Sequence, residues 1–284
     1  MNVEIIITEK PIVSIQVVLL LGMAGISTTL LVTVAAVAFA ESDLSEVLIT
    51  GATGRTGSLL YSQLKAKGAT VRAFARSEEK AREYLNCTQC DESEGIYIGN
   101  VSDTDALMRA ANGVSAVVDC VGVSGSESED VIKEVEFVGV QNTLAALAQP
   151  SNLHSVGLVG LRLVMLSSMG TTQPAPTPAE GGTTLFYKLQ AEAFVGASGV
   201  PFVIVKPCGL DNRPGGSRTI LTGHDDTLLS TLPPLISRAD VASVLAAALV
   251  YPTTPLRLDL CSKRGPPQPD MRSVLAAARY PWQK

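Results

Sequence analysis

With 284 residues, the chain is long enough for one large α/β domain with extensions or for two small domains. Its formal net charge of −5, from 22 Lys and Arg against 27 Asp and Glu, leaves no basic stripe to neutralise phosphates and excludes nucleic acid as the main partner. Five cysteines, an odd number scattered through strands and loops, do not read as a disulfide framework and point to a reducing compartment.

Hydrophobic residues make up 46% of the chain, and the excess collects at the N-terminus. No residue from Pro11 to Ala40 is charged, whereas a membrane-spanning helix needs only about 20 apolar residues. Residues 1–42 therefore read as a hydrophobic helix retained as a membrane anchor. A cleaved signal sequence is the alternative, since the small residues Ala35, Ala36, Ala38 and Ala40 fit a cleavage site. Against cleavage, the run exceeds the ~7–15 residues of a signal core, and Glu4 and Glu9 oppose the single Lys10. Lys10 alone does not set an orientation.

The globular part begins at Asp43 with no long linker, which would hold it close to a bilayer. Val47-Leu48-Ile49-Thr50 is a short apolar strand that runs into Gly51-Ala52-Thr53-Gly54-Arg55-Thr56-Gly57 and then a helix over 55–67, with Leu59, Leu60 and Leu64 at helical spacing. This strand–turn–helix order is what a dinucleotide pyrophosphate site requires. Gly51 permits the tight turn, Gly54 admits a phosphate close to the backbone, and Gly57 lets the helix pack on the sheet. The N–H groups of the first helical turn then face the anion.

Gly68 ends that helix, and residues 70–75 alternate as a second strand with Arg76 and Ser77 at its tip. A carboxylate at this tip suits the ribose of NAD, and a basic residue suits the 2′-phosphate of NADP, so Arg76 points to NADP. A helix over 78–85 follows, then a polar loop in which Cys87 and Cys90 form a C-x-x-C that reads as a solvated loop ahead of a redox or metal role. The third strand, 95–99, leads to Asn100 and Val101 as adenine contacts, with Asp103 capping the next helix. Residues 115–122 make a fourth, doubly buried strand, and its Gly122 lets a cofactor pass. A helix over 131–148 and a fifth strand over 161–168, ending in Ser167 and Ser168, complete a rhythm that implies a parallel sheet. Ser237 with Asp240 forms a helix-start box. His154 and His224 stand alone, with no metal or nucleophile constellation around either. Gly265 to Pro269 breaks the chain before a short helix over 271–279, which docks on its own domain or on a partner.

The glycine turn, Arg76, Ser167-Ser168-Met169-Gly170, Lys188 to Glu192, Ser198 to Leu210 and Ser237 to Ala242, in that order, resemble the atypical short-chain dehydrogenase/reductases, in their NmrA-like NAD(P)-binding branch with Tic62-like and Ycf39-like plastid members. The resemblance spans roughly 47–260. It implies a Rossmann-type doubly wound sheet over 43–264, with a small C-terminal substrate lobe around 211–235 and a tail over 265–284. It implies that Thr53, Arg55, Thr56, Lys188 and Pro207 join the cofactor contacts. It also implies a strand-five serine and a Tyr-x-x-x-Lys pair, in which the tyrosine moves a proton at the substrate oxygen and the lysine lowers its pKa. Lys188 matches the lysine, but Thr184 stands where the tyrosine belongs. Threonine is far too weak an acid for that work. The catalytic candidates are accordingly Lys188, Ser168 and Tyr187, the last adjacent to Lys188 and about 100° away from it round the helix. Asn142 matches an asparagine that supports the site in relatives, or is a structural amide.

Two functions follow. One is a membrane-tethered NADP(H)-binding accessory, assembly or redox-sensing subunit of a membrane complex, in a plastid thylakoid or envelope with the mitochondrion as the alternative. The other is an NADPH-dependent reductase of an apolar carbonyl or quinone-like substrate.

Overall fold

The computed structural model describes residues 14–23, 26–35 and 46–284, apart from 124–125, 173–181, 231–234, 253, 269 and 284. Two units are separable, residues 1–43 and 44–284.

In the first unit, β1 (Ser14–Met23) and β2 (Ile26–Ala35) pair antiparallel, from Ser14↔Ala35 to Met23↔Ile26. This corrects the expected single hydrophobic helix. The two runs are rich in Val, Ile and Thr, whose branched Cβ atoms favour strands, and Ala24-Gly25 interrupts them with a break suited to a hairpin. Among the described residues no helix is long and apolar enough to cross a membrane.

The second unit is built on a ten-stranded sheet. β3 (Val47–Thr50), β4 (Val71–Ala75), β5 (Ile96–Ile98), β6 (Ala116–Asp119), β7 (Arg162–Leu166) and β8 (Phe202–Pro207) are all parallel, in the order β5-β4-β3-β6-β7-β8. That order reverses direction beside β3, as in a doubly wound nucleotide-binding sheet. β12 (Leu256–Lys263) continues it parallel to β8, and β9 (Gly209–Asp211), β10 (Thr219–Gly223) and β11 (Leu235–Ser237) add an edge around β12. The segment expected as the small substrate lobe, around 211–235, contributes β10 and part of β9 and β11 to this edge.

Successive strand residues feed opposite layers, since strand side chains alternate faces. Val47, Ile49, Val203 and Val205 join one core with helices α1 (Gly57–Ala66), α2 (Glu78–Leu85), α8 (Arg238–Leu249) and α9 (Met271–Ala277). Leu48, Val117 and Ile204 join the other, beneath α3 (Thr104–Ala111), α5 (Gly139–Leu147) and α7 (Gly182–Ala197). The helix expected over 131–148 is made of α4 (Glu129–Lys133), a π-helical stretch over Glu134–Val138, and α5. A further helix, α6 (Pro150–Gly160), begins on a proline at its first position and is pinned by buried Asn152, whose amide donates to the carbonyls of Ala111 and Leu147. The tail helix α9 docks on its own domain, with Leu275 fully buried.

Four of the five cysteines pair, as Cys87–Cys90 and Cys208–Cys261. This corrects the expectation of no framework. Cys208 follows β8 and Cys261 lies in β12, so they become neighbours only when those strands align.

Candidate functional site

The C-terminal ends of β3, β4, β5 and β6 open on one cavity of about 360 Å³, at the place where the strand order reverses. Gly51, Thr53 and Gly54 form its floor, and Arg76, Asn100 and Val101 stand round it. Gly51 has φ +65°, and a Cβ there would lie 2.8 Å from the carbonyl oxygen of Cys120. A Cβ on Gly57 would lie 2.3 Å from the carbonyl oxygen of Gly51, so only glycine lets α1 start this close to its own turn. Thr56, buried at the N-cap, makes no side-chain cap bond to α1. The first turn therefore presents its N–H groups and its positive dipole end to a ligand.

Arg76 and Lys80, both exposed, line this cavity, and neither joins an ion pair among the described residues. Ser77 caps α2 by accepting from the Lys80 N–H, which places Lys80 one turn beyond Arg76 on the same side. Lys80 was not singled out in the sequence, where it is one of many helical charges. Asn142 donates to the carbonyl of Val101 at 2.9 Å and so holds the strand end where an adenine would rest. A glycine-lined turn, uncapped helical N–H groups and two unpaired cations fit an anionic dinucleotide.

A second cavity of about 760 Å³ adjoins the same turn. Arg55, Gly122, Ser167, Ser168, Lys188 and Pro207 line it, so both parts of the expected cofactor set face one continuous crevice. Tyr187 is not among the lining residues. Its hydroxyl donates to Glu129 at 3.0 Å, outside the crevice, and that carboxylate together with burial raises its pKa. Thr184 is also outside, with its hydroxyl oxygen buried and unpartnered.

The partner of Lys188 in the crevice is a carboxylate. Glu136, 2% exposed, accepts from Lys188 Nζ at 2.6 Å and from the Val123 N–H at 3.0 Å. It lies in the π-helical stretch, a distortion that turns a side chain out of the regular helical register and recurs at functional sites. Gly122 lines the cavity beside this pair, and a Cβ there would come into van der Waals contact with it, 3.5 Å from Glu136 Oε1 and 3.9 Å from Lys188 Nζ. Burial works to lower the Lys188 pKa, but Glu136, Asp119 and Glu192 outweigh it and hold the ammonium above its ordinary value. Asp119, at the end of β6, is pushed up to about 6 by burial, against a hydrogen bond from Thr50 and the charge of Lys188. Burial also raises the thiol of Cys120, the one free cysteine, and leaves it inert at neutral pH.

Behind the cavity wall lies a buried charge network. Ser167 donates to Glu192, which also accepts from Thr171 and from Arg257 Nε at 2.7 Å. Lys206, fully buried in β8, donates to Asp226 at 3.0 Å and lies 3.5 Å from Asp259. Asp226 in turn accepts the N–H groups of Gly170 and Thr172, which fixes the loop that carries Ser168. The Ser168 hydroxyl donates to the Met169 carbonyl at 2.8 Å and keeps its lone pairs toward the cavity. Ser237 and Asp240 form the expected box at the start of α8. His224 donates from Nδ1 to the Arg257 carbonyl at 3.0 Å and stacks on Tyr280, well within a structural role.

The chain matches the family described as NAD(P)H-binding over residues 51–252. It is 31% identical over 267 residues to an uncharacterized chloroplastic protein of Arabidopsis thaliana, covering 86% of this chain and 78% of that one. It is 30% identical over 241 residues to sanguinarine reductase of Eschscholzia californica, covering 72% and 83% respectively. Among solved structures, a putative NAD-dependent epimerase/dehydratase from Bacillus halodurans superposes with a TM-score of 0.65 at 24% identity, over 82% of this chain and 99% of that one.

Proposed function

The chain belongs to the NAD(P)H-binding family as an atypical, NmrA-like short-chain dehydrogenase/reductase, and we propose that it is an NADPH-dependent reductase of a carbonyl or quinone-like substrate. The observation that carries this reading is the Lys188–Glu136 pair at 2.6 Å, which lines the second cavity beside Gly122. A bound nicotinamide supplies the hydride. The chain's own part is to hold a proton on Lys188 Nζ, shared with the Glu136 carboxylate, where a substrate oxygen gains charge. A quinone oxygen needs no tyrosine for this, since the hydroquinone anion left by hydride transfer is a weak base that is stable unprotonated beside the Lys188 ammonium and takes its proton from water afterwards. Arg76 and Lys80 support NADP over NAD. Likeness to the chloroplastic protein of Arabidopsis thaliana supports a plastid address.

The test is oxidation of NADPH by the full chain with menadione and with phenanthrenequinone as acceptors. Turnover should require the acceptor and fall about a hundredfold in Lys188→Ala, the low end of what losing one hydrogen-bond donor to a developing oxyanion costs. Glu136→Gln should fall less and shift the pH profile. A folded chain that binds NADPH and turns over neither quinone would overturn the reading.

A second reading is the non-catalytic accessory subunit at a membrane complex. Thr184, unpartnered where the family's tyrosine would stand, favours it. Recovery of the full chain with a membrane complex, undiminished in Lys188→Ala, supports that role.

A further inference from the structure

Arg238 occupies a position that the fold alone does not reward. It is the first residue of α8, where the positive end of the helix dipole opposes a cation. It is only 7% exposed, yet it lines the second cavity. Among the described residues its one hydrogen-bond partner is a neutral amide, Asn212 Oδ1, at 2.6 Å from Nη1. The nearest acid that acts on it, Asp211, is already engaged by Arg213 through Nε at 2.7 Å and again through Nη2. The other charge that acts on it is Arg55, a second cation in the same cavity, and with burial it lowers the Arg238 pKa. A buried guanidinium without an ionic partner carries a large desolvation cost. Arg55, exposed and lining the same cavity, adds a second positive charge there, and a cleft lined by one sign of charge draws an anion.

We infer that Arg238 receives an anionic group of the substrate, a carboxylate or a phosphate, so that the substrate is an acidic molecule with an apolar body. This rests on the reductase reading for the word substrate, but the binding itself does not need turnover. The cofactor's diphosphate has its own place on the N–H groups of α1. Arg238 is instead tied through Asn212 to the 209–218 segment that roofs the other end of the cavity, next to Leu210 and Leu229. Those leucines supply the apolar wall against which a ring or chain packs. The planar fork of an arginine matches a carboxylate or phosphate edge in two parallel hydrogen bonds.

The experiment uses the full chain saturated with NADP+ and two non-reducible probes of one shape, 2-naphthoate and 2-naphthamide, titrated by calorimetry. Naphthoate should bind at least about tenfold tighter than the amide, which corresponds to one charge-assisted hydrogen bond. Arg238→Gln should erase that preference, Arg238→Lys should keep part of it, and the NADP+ affinity of both variants should stay within about twofold of wild type. Equal binding of the two probes overturns the inference, as does an Arg238→Gln chain that loses NADP+ affinity while keeping its melting temperature, which assigns the arginine to the cofactor. Naphthoate selectivity without any quinone turnover would leave the anion site standing and remove the reductase reading alone.

Discussion

Removing Arg76 at the tip of β4 and Lys80 in α2 should abolish the proposed preference for the 2′-phosphate of NADPH. Arg76 and Lys80 line the 360 Å³ cavity, are exposed, and are free of ion pairs among the described residues, so alanine at either position costs the fold little. A hydrogen bond to a charged group contributes about 1.5–3 kcal/mol, and exposure to water draws both side chains to the low end. Each single variant should therefore weaken NADPH by about 1.5 kcal/mol, or roughly tenfold in Kd. The double variant should lose up to about a hundredfold, and less if the two cations share one phosphate oxygen and couple. NADH affinity should not move. The assay is titration of full-length protein with each nucleotide by fluorescence, at constant low salt, because screening at about 0.15 M shortens the reach of exposed charges to about 8 Å. Equal weakening of both nucleotides would mean that the variants damage the turn itself. Unchanged NADPH binding would refute the assignment of the 2′-phosphate to this tip.

Glu192→Ala removes the acceptor of Ser167, Thr171 and Arg257 at once and should destabilise the chain by about 3 kcal/mol, read as a lower urea midpoint at unchanged slope. A midpoint within error of wild type would show that the network adds nothing to stability. Asp119 titrates at about 6 in the fold against an ordinary 3.8. The native state therefore binds the proton more tightly, and stability present below pH ~4 is lost as pH rises to ~6, by about 3 kcal/mol at most. Stability curves of wild type and Asp119→Asn should diverge over that window and run parallel above it; parallel curves throughout would refute the raised carboxyl. Tyr187→Phe deletes only the bond to Glu129 and should leave quinone reduction within about twofold, whereas a loss comparable to Lys188→Ala would restore tyrosine to the proton path.

The nucleotide half of the protein was legible because each of its signals is local. An apolar strand, three glycines and a helix occupy twenty consecutive residues, and Arg76 follows from the end of the next strand. Lys80 was not, since only the placement of α2 shows which of its charges faces the cavity. Glu136 was hidden by the π-helical stretch, which breaks the periodicity that a sequence reading relies on. Tyr187 was drawn in by adjacency to Lys188 and put out of reach by helical geometry. The Cys208–Cys261 pair spans 53 positions and depends on β12 lying beside β8, a long-range fact with no local trace. At the N-terminus, hydropathy outweighed the branched side chains that favour strands.

The Cys208–Cys261 link also divides the protein into parts that are free to diverge at different rates. The chain from β9 to the middle of β12, α8 included, is closed into one covalent loop where β8 and β12 run side by side, and its surface part over 212–219 is a stretch outside the core. Insertions within such a loop are tolerated, since doubling its length costs only about 0.6 kcal/mol. The roof over the second cavity can thus be lengthened, shortened or re-coloured to suit new molecules while the glycine turn keeps its geometry. A family assembled this way would hold its coenzyme constant and vary its chemistry at one stapled flap.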